Sequence, residues 1–130
     1  MSQKPVVVFL STFPPRQCGI ATYTKNLITA LESRYGISLE AKVIAMTRKQ
    51  GMHYRFEKKV IGRIAHFHRE EYARMANRLN QLAHVKLVHI QHEYGIFGGT
   101  HGEYVLDFVR ALKKPIVITF HTVLPKPDEG

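Results

Sequence analysis

The chain has 130 residues, of which 45% are hydrophobic, 22% charged and 10% aromatic, with no tryptophan. That length suits one compact domain, which buries roughly two thirds of its unfolded surface, and the apolar fraction excludes a disordered or low-complexity chain. Lys and Arg number 19 against 10 Asp and Glu, for a net charge of +9.

The charge excess is local. Residues 42–78 hold ten of the Lys and Arg, from Lys42 to Arg78, against Glu57, Glu70 and Glu71. Such a segment suits an anionic partner (nucleic acid, an anionic lipid head group or a phosphorylated small molecule), and it equally suits a plain solvated face. The single cysteine, Cys18, cannot form an internal disulfide or a multi-cysteine zinc site, and points to a reducing, cytoplasmic setting. The longest apolar run, Pro5–Leu10, is too short for a membrane span or a secretory leader.

In chain order, the first strand is expected at Val6–Ser11, a β-branched apolar run without polar alternation, as in parallel strands covered on both faces. A helix follows, with Ile20, Tyr23, Leu27, Ile28 and Leu31 on one face and Gly36 placed to end it. Ala41–Met46 reads as a second strand, 47–58 as an exposed loop, and Lys59–Ile64 as a weaker strand candidate. A second helix presents Tyr72, Met75, Ala76, Leu79 and Leu82, and Leu87–Gln91 is a further strand. A third helix presents Tyr104, Val105, Phe108, Val109 and Leu112; Thr100 with Glu103 gives it a capping-box start, and Lys113-Lys114 suit its end. Ile116–Phe120 is the last strand. Strand–helix alternation of this kind implies right-handed crossovers and a doubly wound, mainly parallel, Rossmann-like α/β sheet with helices on both faces.

Ligands of open α/β sheets bind beyond the carboxyl ends of the strands, and unusual residues collect there. After the first strand comes Thr12–Ile20, in which Gly19 at a helix start offers close backbone approach to a phosphate, and Arg16 a guanidinium contact. Cys18 beside it is either a thiolate activated by the helix start or a small packing residue. No dinucleotide or P-loop glycine fingerprint is present. After Gln91 come His92, Glu93 and Tyr94, then Gly95, Gly98 and Gly99, which read as a second anion or sugar cradle or as a plain connector. His121, closing the last strand, can donate a hydrogen bond to a sugar or phosphate or act as an acid or base near neutral pH. His89 and Gln91 share one side of their strand. The other histidine pairings, including His66 with His68 and His89 with His92, fit no metal-ligand framework, so no metal is expected.

Three segments, Phe13-Pro-Pro-Arg-Gln-Cys-Gly-Ile-Ala-Thr22, Ile90-Gln-His-Glu-Tyr-Gly-Ile-Phe-Gly-Gly99 and Val117-Ile-Thr-Phe-His-Thr-Val-Leu-Pro125, together resemble the N-terminal lobe of the family 4 retaining glycosyltransferases of GT-B architecture. The resemblance spans nearly the whole chain and is least diagnostic over residues 48–84. It implies a two-lobed enzyme moving a sugar from a nucleotide-diphosphate sugar to an acceptor hydroxyl on a glycan, lipid-linked or small molecule, with retention and without a bound metal or other cofactor. On this reading Gly19 and Arg16 meet the donor diphosphate, His121 the transferred sugar, and Glu93, Tyr94 and His92 the acceptor side. The basic segment would meet an anionic membrane surface or a phosphate-bearing acceptor. The family's nucleotide-binding second lobe is absent, so residues 1–130 are expected to be a single acceptor-side lobe that transfers little sugar alone. Two other readings stand beside it: a non-enzymatic basic module for nucleotides or nucleic acid, the latter not expected because no such signature is present, and a stand-alone flavodoxin-like nucleotide-binding protein.

Overall fold

The structure, a computed structural model, describes residues 4–48 and 55–123. Strand β1 (Val6–Ser11) leads into helix α1 (Gly19–Tyr35), β2 (Glu40–Thr47) and β3 (Val60–Ala65). Helix α2 (Arg69–Asn80), β4 (Val85–His92), α3 (Val105–Ala111) and β5 (Ile116–Phe120) follow. The strands form one all-parallel sheet in the order β3-β2-β1-β4-β5. This is an α/β fold with a Rossmann-like sheet. The weaker strand candidate near residue 60 is therefore a full member, β3, at one edge.

β1 lies at the centre, paired on both sides, and its side chains alternate between two apolar layers. Val8 and Leu10 pack with Ile44, Met46, Ile64, Val88 and Ile90 beneath Tyr72 and Leu79 of α2 and Phe108 of α3. Phe9 joins Val43, Ala45 and Ile28 of α1 on the opposite face. Burial on both faces explains why the central strands read as continuous apolar runs instead of alternating ones. At the other edge, β5 keeps Val117, Ile118 and Phe120 partly in solvent.

Several expectations change. Thr47, placed by its sequence in an exposed loop, is the buried last residue of β2. Of the rest of that loop, Arg48, Arg55, Glu57 and Lys58 are exposed, Phe56 packs partly on the α1 layer, and residues 49–54 lie outside the described part. In α1 the buried positions are Ala21, Thr24 and Ile28. A buried hydrogen bond between the hydroxyls of Thr24 and Ser11, 2.8 Å long, sets that rotation. Tyr23, one residue and about 100° of helix away, is turned out and is 47% exposed. Gly36 does end the helix, donating its N–H to Glu32.

At α3 only the carboxylate half of the capping box forms: Glu103 accepts from the amides of Thr100 (3.0 Å) and His101 (2.7 Å), and the helix proper starts later, at Val105. Lys114 does not simply face the helix end. Its ammonium donates to the carbonyls of Leu82 (2.8 Å) and Val85 (2.9 Å), tying the end of α3 to the start of β4.

Candidate functional site at the carboxyl rim

From β1 the chain runs outward to β2 and β3, then returns past β1 to lay down β4 and β5. The loops after β1 and β4 therefore leave towards opposite faces, the arrangement at which open α/β sheets form a ligand crevice at the carboxyl ends of their strands. The loops that carry Gly19, Glu93 and His121 all belong to this rim.

On the β1 side, Cys18 is the N-cap of α1. Its thiol accepts from the amide of Ala21 (3.4 Å) and pairs with the Thr12 hydroxyl (3.1 Å). Neither of the two readings offered for it foresaw a cap. The first intrahelical bond is Thr22 N–H to the Cys18 carbonyl, so the amides of Gly19 and Ile20 lie ahead of it. A Cβ built on Gly19 meets nothing within 4 Å, and the residue has no positive φ. Neither packing nor backbone geometry requires glycine there, while the missing side chain leaves open the approach to a positive helix end. For Arg16 the sequence suggests a guanidinium contact to a phosphate. The residue is buried, and its guanidinium reaches across to the Met46 carbonyl of β2 through a long contact of 3.4 Å, which braces the loop against the sheet.

On the β4 side the period-two geometry of a strand sorts the residues. His89, Gln91 and Glu93 follow the α1 face, marked by the His89–Phe9 ring contact at 5.2 Å. Ile90 and His92 follow the other face. A part-buried polar chain results, with Gln91 wholly buried at its middle. Thr119 of β5 and His89 share a hydrogen bond of 2.8 Å, the Gln91 amide lies 3.4 Å from the same His89 nitrogen, and the Gln91 oxygen lies 2.7 Å from Nε2 of His121. The His121 backbone donates to the His92 carbonyl at 3.0 Å, and its ring meets the edge of Tyr23 at 4.9 Å. Tyr23 thus joins the α1 start to the end of β5.

Glu93 accepts from the Thr122 hydroxyl at 2.6 Å and from the Tyr94 amide at 2.9 Å. These bonds, the Thr122 one foremost, hold its carboxyl below the usual carboxylate range. The Tyr94 ring stands between His92 and His101. His92 itself sits beneath the rim: it is 8% exposed, stacks on Phe97 at 5.4 Å, and touches Phe120. Its Nδ1 is buried without a hydrogen-bond partner, and burial lowers its pKa. Gly98 and Gly99 are explained by the fold. A Cβ on Gly98 would strike the His66 carbonyl at 2.1 Å, and Gly99 holds φ at 96°. The Gly98 amide is taken by the Tyr72 hydroxyl (2.9 Å) and those of Thr100 and His101 by Glu103, so the protein itself fills the second cradle.

Tyr23, Gln91, Thr119 and Thr122 were not singled out as site residues. For Gln91 and Thr119 the signal was available, since alternation along His89–Gln91–Glu93 and Val117–Thr119–His121 puts both on the face of His121. Tyr23 was concealed by its apolar helical spacing.

The basic segment forms a separate feature. Part of it is neutralised by the ion pairs Lys42–Glu40 (3.0 Å), Lys59–Glu32 (2.5 Å) and Arg69–Asp107 (2.7 Å). Arg55, Arg63 and Arg78 line a cavity of about 760 Å³ between β3 and α2, with Phe56, Ile61 and Met75; Arg74 lines an adjoining one. Among the described residues no group of three or more His, Cys, Asp or Glu is placed to hold a metal ion, and no helix is long and apolar enough to cross a membrane. Comparison with family models, curated proteins and solved structures finds no match to this chain.

Two measurements check this account. In denaturant unfolding, Gly98→Ala loses about 1–3 kcal/mol by overpacking, whereas Gly19→Ala is neutral or gains up to about 1 kcal/mol from helix propensity. Equal losses would remove the distinction between a structural glycine and one the fold does not need. Burial also disfavours protonation of His89 and His92 in the folded chain. The unfolded chain then binds more protons as pH falls below about 6.5, so stability is full above that pH and declines below it. Replacing His92 by Phe, which can stack on Phe97 without an orphaned nitrogen, should flatten this acid decline.

Proposed function

We propose that this chain is the acceptor-side lobe of a retaining glycosyltransferase of GT-B architecture, transferring a sugar from a nucleotide-diphosphate sugar to an acceptor hydroxyl. The observation that carries the reading is a convergence at one crevice. An unobstructed helix start at Gly19 and a histidine held in place by Gln91 are joined there through Tyr23 at 4.9 Å. The all-parallel sheet, with α1 on one face and α2 and α3 on the other, supports this reading as far as a Rossmann-like fold goes.

Each group has a task that follows from its chemistry. Cleaving the donor leaves charge on the diphosphate, and the amides at the α1 start, reinforced by the helix dipole, stabilise that charge without reorganising. Arg16 braces this loop by way of Met46 and so keeps the helix start in position. His121 faces the transferred sugar. Glu93, ionised and oriented by Thr122 and Tyr94, accepts hydrogen bonds from hydroxyls on the acceptor side, with Tyr94 beside it and His92 packed beneath. Turnover requires a second lobe to close over the donor, and no metal or organic cofactor takes part in this scheme.

A second reading, a non-enzymatic basic module for nucleotides or nucleic acid, draws on the arginine-lined cavity of α2 and β3. The two readings separate in one calorimetric experiment, in which the chain is titrated with nucleoside diphosphates, nucleotide sugars and a short DNA duplex at two salt concentrations. A lobe of this kind binds the nucleotides weakly, loses them in Gly19→Val and retains them in Arg74→Gln. Salt-sensitive DNA binding with indifference to nucleotides, or nucleotide binding unchanged in Gly19→Val, would overturn the glycosyltransferase reading.

A further inference from the structure

Gln91 is wholly buried, yet it sits on β4 among histidines on the one stretch of sheet face that leads to the rim. A buried amide is tolerated only when its polar atoms are paired, and here its two ends meet two different imidazoles. Its oxygen lies 2.7 Å from Nε2 of His121, and its nitrogen lies 3.4 Å from Nε2 of His89, which is also 2.8 Å from the Thr119 hydroxyl. Desolvation favours the neutral form of His89, and with the amide nitrogen of Gln91 turned towards it, its Nε2 is the acceptor of that contact. The other end of the amide, its oxygen, is the one that faces His121. An amide oxygen only accepts, so Nε2 of His121 must carry the hydrogen; the 2.7 Å separation also suits N–H···O better than N–H···N.

We propose that Gln91 is a positioning residue that locks His121 as the Nε2–H tautomer, leaving Nδ1 as the nitrogen that meets the ligand. Among the described residues Nδ1 of His121 has no hydrogen-bond partner. A bare ring nitrogen accepts a hydrogen bond and repels an anion, so the group it takes is a hydroxyl, and the phosphates belong at Gly19. This division of labour rests on the glycosyltransferase reading and deepens it; the tautomer lock stands independently of it. The titratable groups facing His121 are His89, His92 and Glu93 along β4 and Tyr23 from α1, so a carboxylate at position 91 would be a new charge in direct contact.

The test is nitrogen-15 NMR of the imidazoles in the unliganded chain with its histidines neutral. The wild type should show a single His121 tautomer with hydrogen on Nε2. Gln91→Met should release it into exchange between tautomers. Gln91→Glu should raise the His121 pKa by one unit or more, as expected for an adjoining opposite charge. A wild-type His121 protonated on Nδ1 or already exchanging, or a folded Gln91→Glu chain with unshifted His121 titration, would overturn the proposal. If both variants fail to fold, the wild-type tautomer decides. Because no ligand is present, a locked tautomer in a chain that ignores nucleotides would sink the functional reading and leave the lock standing.

Discussion

A parallel strand reaches its next neighbour through a right-handed crossover, and β1, hydrogen-bonded on both sides, obliges the chain to make such crossovers in two opposite directions. Moving outward from β1 to β2 puts α1 on one face. Returning to β4 and β5 puts α2 and α3 on the other, and the two apolar layers follow from that division. The same reversal separates the loops after β1 and β4. The crevice at the rim is thus a consequence of chain handedness and strand order, and the particular residues there exploit an opening the fold already provides.

Within that opening, the polar groups are costly to bury and are held in register by the β4–β5 pairing. His89 lies opposite Val117, Gln91 opposite Thr119, and His92 opposite Phe120. Each polar residue on the α1 face finds a partner one or two positions along the neighbouring strand. The other face of the same strands carries Ile90 and the aromatic stack of His92, Phe97 and Phe120. Alternation of side chains across a strand therefore separates a rigid apolar support from a polar line that leads to the rim.

Much of this was legible in the sequence, and the reasons for the rest are physical. The runs at Val6–Ser11 and Ile116–Phe120 coincide with β1 and β5, because continuous β-branched segments mark strands in parallel sheets. β3 was faint: as an edge strand containing Gly62 and an exposed Arg63 it lacks the full apolar run. Strand order is a matter of long-range pairing, and local pattern does not encode it. At the site, Gly19 and His121 were visible from residue type and place. The burial of Arg16 and His92 was not, since a polar residue in a loop or at a strand end gives no sign of what will cover it. Tyr23 was drawn to the core by its spacing, and the Ser11–Thr24 hydrogen bond turned it to the rim.

The central claim is that the crevice between the ends of β1 and β4 receives the ligand. Amide chemical-shift mapping with a nucleoside diphosphate tests it most directly. The account predicts that the perturbed amides cluster at Gly19–Tyr23, with smaller changes at Glu93–Tyr94 and His121–Thr122. Perturbations confined to Arg63, Arg74 and Arg78, or scattered without regard to the rim, would contradict it.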